Sequence, residues 1–214
     1  MKAVIFDFGG VFVDSPFAAV TQVAADMDVN PTVLLDVVFG SYDDDTDHPW
    51  HQLERGELSF DDARSQIMAA SVDRLGPALD PFEMLMALGG GGLRDDMVEF
   101  VRTARAAGLV TGVLTNNARE FAQFWRPMLP LDELFDDVVD SSEVGMRKPD
   151  PRIYALAVER LGVEPSQALF VDDAAGNVRG AQAAGLSAVL IGPQRSDVPA
   201  AIAQLSALAG LAGR

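Results

Sequence analysis

Cysteine is absent from the 214 residues, which excludes disulfides, thiolate nucleophiles and thiolate metal sites. Histidine is nearly absent, and two residues are too few for a polyhistidine zinc centre. Positive charge is scarce: 16 Lys and Arg stand against 32 Asp and Glu, for a formal net charge of −16. Nucleic acids and anionic membranes are polyanions that such a chain repels, so neither is expected as a partner. No stretch approaches the roughly 20 consecutive apolar residues that span a bilayer. The opening run Met1-Lys2-Ala3-Val4-Ile5-Phe6 meets Asp7 too soon to read as a signal peptide. The chain is therefore expected in the cytoplasm, and a small anionic substrate would need a local cation.

What is present is the balance of a soluble globular protein, 49% apolar and 22% charged, long enough for one core with a small insertion. Ala3 to Phe8 is a β-branched apolar run ending at Gly9-Gly10, the pattern of a buried strand and a tight turn. Similar runs recur at Leu109 to Thr115, Ala168 to Val171 and Ser187 to Ile191. Helical segments precede them at Asp95 to Ala107, Pro151 to Leu161 and Ala174 to Ala184, with Gly108, Gly162 and Gly185 at the helix C-termini. This alternation predicts an α/β fold, a doubly wound parallel Rossmann-like sheet with helices on both faces. Residues 16–88 break the alternation and predict an inserted α-helical cap, leaving 1–15 and 89–214 as the core. Gly89 to Gly92 would return the chain as a hinge or a loose loop. The Ala-rich tail after Pro199 reads as a terminal helix that covers the core or makes a subunit contact, and the choice between monomer and homodimer stays open.

In open α/β sheets ligands sit beyond the carboxyl ends of the strands. Asp7 follows the first strand, Thr115-Asn116-Asn117 the second and Asp172-Asp173 a later one, while Arg147-Lys148-Pro149 stands just before a helix. A nucleophilic carboxylate, a hydroxyl with adjacent amides, a cation and an acidic pair thus converge on one crevice.

In this order the residues resemble the four motifs of the haloacid dehalogenase-like superfamily, across almost the whole chain. The resemblance implies hydrolysis of a phosphate monoester through a phosphorylated Asp7, with Mg²⁺ as cofactor and a small phosphorylated metabolite as substrate. A carboxylate attacks a dianionic phosphate poorly unless the phosphoryl charge is neutralised, which Mg²⁺ and an ammonium group accomplish. Asp7, Asp172 and the main-chain carbonyl of Gly9 are the expected metal ligands. Asp173 and Asn177 would stand behind them, Asp173 holding a metal-bound water or Lys148. Thr115 would donate its hydroxyl to a phosphoryl oxygen, with the backbone N–H of Asn116 beside it and Asn117 next in line, and Lys148 would bridge nucleophile and phosphoryl group.

The family's phosphatases usually carry a second aspartate two residues after the nucleophile, as acid to the leaving group and base to water. Here that position is Gly9. The segments Asp7-Phe8-Gly9-Gly10-Val11, His51 to Ser59 and Gly145 to Pro149 resemble the branch holding bacterial α-glucose-1-phosphate phosphatases and, more distantly, the N-terminal phosphatase domain of soluble epoxide hydrolase. That branch also has glycine there, which implies a sugar phosphate whose leaving oxygen needs little protonation; acyl and aryl phosphates share that property. Alternatively, Asp14 or His51 supplies the missing acid–base group. In the insertion, Arg55 could meet the phosphate or sugar and Glu54 accept sugar hydroxyls, unless both are solvated helix residues. Asp43 to Asp47 match some calcium-loop positions, but His48 replaces the required glycine, so the run is read as an acidic solvated loop. Competing readings are a 2-haloacid dehalogenase, a phosphomutase and a noncatalytic module that binds a phosphorylated ligand.

Overall fold

The computed structural model describes residues 1–87 and 92–211. Five parallel strands form one sheet in the order β3-β2-β1-β4-β5: β1 Ala3–Phe6, β2 Val110–Thr115, β3 Asp137–Asp140, β4 Ala168–Asp172 and β5 Ser187–Leu190. The doubly wound parallel sheet read from the sequence is the observed fold. Strand β3 is an addition, because Asp137-Val138-Val139-Asp140 offers only two apolar residues between acids and carries no apolar run of its own.

Side chains alternate across the sheet as the two-residue strand period requires. Val4 and Phe6 face one core with Met97, Phe100, Val198 and Leu205, whereas Ala3 and Ile5 face a second with Ile153, Tyr154, Ala157 and Ala181. The helices supplying those faces are α6 (Asp95–Ala106) and α12 (Val198–Ala209) on one side, α10 (Pro151–Arg160) and α11 (Ala175–Ala183) on the other. Gly108, Gly162 and Gly185 have positive φ, as their places at helix ends demand. Single turns at α7 (Ala122–Trp125), α8 (Leu131–Leu134) and α9 (Ser141–Val144) connect β2 through β3 to α10. The Ala-rich tail is α12, whose Val198, Ala201, Leu205 and Ala209 are buried in the first core.

Between β1 and β2 the chain forms α1 (Pro16–Asp26), α2 (Pro31–Val38), α3 (Pro49–Glu54), α4 (Phe60–Leu75) and α5 (Pro81–Ala87). Each of α1, α2 and α3 opens on proline, which lacks only an N–H that the first turn leaves unpaired, behind a capping Ser15, Asn30 or His48. Ser59 caps α4 by accepting from the Asp62 backbone N–H, with Asp61 and Asp62 on its positive end. These helices bury a separate apolar cluster that includes Val20, Leu34, Phe39, Leu53 and Ile67. Of the proposed glycine return, Gly89, Gly90 and Gly91 lie outside the described residues. Among the described residues no helix is long and apolar enough to cross a membrane.

Candidate active site

The sheet reverses direction of winding at β1: the chain runs outward through β2 and β3 on one side, then crosses to β4 and β5 on the other. The crevice at such a switch point is where open α/β sheets bind ligands. Asp7 sits one residue beyond β1, its N–H donating to the Val171 carbonyl at 2.9 Å and extending the β1–β4 ladder. Asp172 closes β4, so the two carboxylates are neighbours by strand register.

Lys148 joins them. Its buried ammonium lies 2.9 Å from Asp7 Oδ1 and 2.6 Å from Asp172 Oδ2. Burial alone would lower the Lys148 pKa, but Asp172 and Asp7 together hold it above its usual value. The main chain of Lys148 is pinned twice by the Asn116 side chain, whose Oδ1 accepts from the Lys148 N–H at 2.8 Å and whose Nδ2 donates to its carbonyl at 3.0 Å. Asn177 donates to both oxygens of Asp172, at 3.2 and 3.1 Å, and the Ala174 N–H adds a bond of 2.7 Å. Asn177 therefore orients Asp172. Asn116 is a positioning group whose side chain is fully used.

Oxygens of Asp7, Asp172 and Asp173 all lie within 4.8 Å of one another. Three carboxylates face one ammonium, and Asp173 Oδ2 is buried without a hydrogen-bond partner. Burial pushes Asp7 up to about 7, opposed by Lys148 and reinforced by Asp172. Burial likewise drives Asp173 well above the usual carboxylate range, with Asp172 and Asp7 adding to it. Hard oxygen donors, surplus negative charge and an orphaned carboxylate oxygen are the features that a divalent cation such as Mg²⁺ fits. The sequence predicts Asp173 behind the ligands, holding a metal-bound water or Lys148; its carboxylate lies in the oxygen cluster, and Lys148 is bonded to Asp7 and Asp172.

Two cavities meet above these residues. The inner one, of about 100 Å³, is lined by Asp7, Thr115, Lys148, Asp173 and Asn177. The outer one, of about 320 Å³, includes Asp14, Trp50 and Phe121, and shares Gly9, Tyr42, Glu54, Asn116 and Asn117 with the first. Asn117 holds its place through its own N–H to Ser141 Oγ at 2.9 Å. Asp14 lines the outer chamber and is paired with Arg195 Nε at 3.0 Å.

Of the remaining candidates from the insertion, Glu54 lines both cavities, whereas Arg55 and His51 line neither. Glu54 is buried with both oxygens engaged: Oε2 accepts from Arg147 Nε at 2.7 Å and Oε1 from Trp50 Nε1 at 2.9 Å. Arg55 points away from the chamber to Asp45, Glu57 and the Thr46 carbonyl. His51 is fully buried, its Nδ1 accepting from the Thr46 N–H at 3.0 Å. Burial, then the nearby Arg147, lowers its pKa to about 3, so it is neutral near pH 7. These contacts leave Arg55 and His51 supporting the insertion, while Glu54 braces Trp50 and Arg147 from the cavity wall.

Sequence reasoning passed over Arg147, the largest fully buried side chain, which reaches from the core to Glu54 and the Asp44 carbonyl of the insertion. It also missed Tyr42 and the purpose of the acidic loop. Asp43 pairs with Arg179 and Asp45 with Arg55, so the loop is partly neutralised against the core. Gly176 on α11 permits this seat: a Cβ there would lie 1.9 Å from the Tyr42 carbonyl oxygen and 2.8 Å from Asp43 Cα. Gly176→Ala should therefore lift the loop. A helical Gly→Ala change gains roughly 1 kcal/mol of propensity while overpacking costs about 1–3 kcal/mol, a net loss between about zero and 2 kcal/mol. Misplacing a wall of the site by about 1 Å can cost up to roughly 10²-fold in rate. Turnover should fall about tenfold or more while Tm falls by no more than about 8 °C, as steady-state kinetics and thermal melts would show.

A family model described as a haloacid dehalogenase-like hydrolase matches residues 1–185. Mouse acyl-CoA dehydrogenase family member 10 is 34% identical over 98% of this chain, which spans only 19% of that protein. Phosphatase MT3486 of Mycobacterium tuberculosis is 41% identical over 51% of the chain and 52% of its own length, and sesquiterpene phosphatase astK of Aspergillus oryzae 30% over 98% and 97%. The (S)-2-haloacid dehalogenase 4A of Burkholderia cepacia is 33% identical over 46% of the chain and 43% of its own. Among solved structures, a predicted HAD-like hydrolase from Porphyromonas gingivalis superposes with a TM-score of 0.66 at 21% identity, covering 96% and 97% of the two chains. A HAD-family enzyme from Bacteroides thetaiotaomicron, complexed with magnesium and inorganic phosphate, does so at 0.56 and 17%, covering 90% and 95%.

Proposed function

The chain belongs to the haloacid dehalogenase-like hydrolases, and from that membership we propose that it is a magnesium-dependent phosphatase acting on a small phosphate monoester through a phosphorylated Asp7. The observation that carries this reading is Lys148 shared between Asp7 and Asp172, at 2.9 and 2.6 Å, beside the unpartnered oxygen of Asp173. Relatives named as phosphatases support it, as does a structural neighbour complexed with magnesium and phosphate.

Asp7, Asp172 and Asp173 would hold the cation, which when bound neutralises phosphoryl charge. An Asp7 oxygen attacks phosphorus, the bond from phosphorus to the substrate oxygen breaks, and the departing oxygen takes a proton from water. Lys148 holds the nucleophile's orientation and meets the negative charge that spreads over the phosphoryl oxygens. Thr115 lies in the same inner cavity, where its hydroxyl donates to one of them. Water then attacks the phosphorylated Asp7, giving inorganic phosphate and the free carboxylate. Asp14, on the chamber wall past Gly9 and paired with Arg195, is the carboxylate that would accept the proton of this attacking water. The helices of residues 16–87 act as the cap that closes this chamber, and the chain as a whole works without nucleic acid or membrane.

A 2-haloacid dehalogenase is the second reading, favoured by Gly9 and by relatives of that name. The acidic trio argues against it, since displacement of halide from carbon has no need of a divalent cation. Phosphate release from a phosphomonoester panel should fall on the order of 10²-fold or more when EDTA removes the metal, and return with added Mg²⁺. Chloride release from 2-haloacids that is indifferent to EDTA, with no phosphate release, would establish the dehalogenase.

A further inference from the structure

The outer chamber is apolar over most of its wall. Val13, Tyr42, Trp50, Leu85, Phe121 and Met128 line it, drawn from both the core and the inserted helices. Most side-chain oxygens on the same wall are committed elsewhere, leaving the Tyr42 hydroxyl and Asn117 Nδ2 as its uncommitted polar side-chain groups among the described residues. Both oxygens of Glu54 accept hydrogen bonds, both polar atoms of the Asn116 side chain are used on Lys148, and Asn117 Oδ1 accepts from the Ala118 N–H at 3.0 Å. Asp14 is paired with Arg195. A sugar entering here would strip water from its hydroxyls and find few partners in return, a penalty that apolar surface does not incur.

A second observation concerns the leaving oxygen. Gly9 has no side chain, so the second position after the nucleophile offers nothing to protonate that oxygen, and Asp14 on the chamber wall is a carboxylate paired with Arg195. Esters of simple alcohols, whose conjugate bases are strong, should therefore turn over slowly. A phenol ionises near pH 10, as tyrosine does, and its anion departs without help.

Polarity and leaving-group chemistry converge, and the geometry points to an aryl phosphate monoester as the substrate class: phosphate in the inner cavity, aromatic ring in the outer one. This deepens the phosphatase reading and rests on it. The outer volume of about 320 Å³ is roughly twice the ~150 Å³ that accepts benzene, room for a fused bicyclic ring. Tyr42, Trp50 and Phe121 offer faces and edges to such a ring.

Three substrates separate the two arguments. Phenyl and cyclohexyl phosphate match in size but differ in leaving-group basicity; phenyl phosphate and glucose 1-phosphate both leave readily but differ in polarity. With Mg²⁺, KM for phenyl phosphate should lie at least about tenfold below that for glucose 1-phosphate, and 1-naphthyl phosphate lower still. Cyclohexyl phosphate should bind comparably to phenyl phosphate but show a kcat lower by about 10²-fold or more. Leu85→Gln and Met128→Gln should each narrow the phenyl-to-glucose ratio of kcat/KM several-fold. The wild-type series decides the matter even where a variant folds poorly. Glucose 1-phosphate binding as tightly as phenyl phosphate, or cyclohexyl phosphate turning over as fast, overturns the aryl assignment while leaving the phosphatase standing. Absence of metal-dependent phosphate release from every ester overturns the phosphatase, and this inference with it.

Discussion

Asp7→Asn should lower phosphate release by on the order of 10⁴-fold or more, because removing a nucleophile that acts within a unit forfeits nearly all that the unit contributes. The amide is close in shape to the carboxylate, so folding should survive: the Asp7 backbone N–H keeps its bond to Val171. The stability change has an identifiable sign. Asp7 is buried and close to Asp172 and Asp173, and in the absence of metal a neutral amide relieves part of that crowding. The apo variant should therefore melt no lower than the wild type, and its stabilisation by Mg²⁺ should be weaker. No phosphoprotein should be trapped from it by acid quench, whereas the wild type should yield one. Metal-dependent hydrolysis persisting in Asp7→Asn would eliminate the covalent route. A wild type that binds inorganic phosphate without ever forming the phosphoprotein would identify a noncatalytic binding module.

Gly9→Asp should move activity the other way. The position has no positive φ and open space around the missing Cβ, so an aspartate enters without strain. Its neighbours are the acidic Asp7 and Asp173, which would raise its pKa and favour the protonated form that an acid catalyst needs. General acid catalysis contributes typically about 10²–10⁴-fold. Turnover of cyclohexyl phosphate should accordingly rise by roughly 10²-fold, phenyl phosphate should change little, and the dependence of kcat on leaving-group basicity should flatten. The added acidic group also opposes entry of a dianion, so KM should increase for all esters. Were alkyl ester turnover unchanged, the proton would already be supplied from another group, and Asp14→Asn in the same background would show whether it is Asp14.

How much of this was legible in the chain follows a physical pattern. Asp7, Thr115 and Asp172 were readable because each stands at the end of a buried strand, where a polar residue after an apolar run is conspicuous, and Lys148 because it is a cation just ahead of a helix that opens on proline. The parallel sheet was readable for the same reason: its central strands β1, β2 and β4 are almost wholly covered and appear as apolar runs. Strand β3 was hidden by aspartates at both ends. The chamber wall was hidden more deeply. Val13, Tyr42, Leu85, Phe121 and Met128 come from five separate segments, and only tertiary packing makes them neighbours. Glu54 and Arg55 showed their chemistry but not its direction, since a charge directed at a substrate and one directed at Arg147 or Asp45 look alike in a string of letters. The acidic run from Asp43 to Asp47 suggested solvent, yet Arg179, Arg55 and Arg147 draw parts of it onto the protein.

Arg147 and Lys148 are adjacent in the chain, one gripping the inserted helices through Glu54 and the other gripping Asp7. The Arg147–Glu54 contact is an ion pair rather than an apolar patch, and that decides what it contributes. Buried pairs gain little net stability over water, and their best-attested use is to fix register. Removing either partner would strand the other charge in a dry interior, so the pair holds the inserted helices at one setting against the core, one residue away from the ammonium beside Asp7.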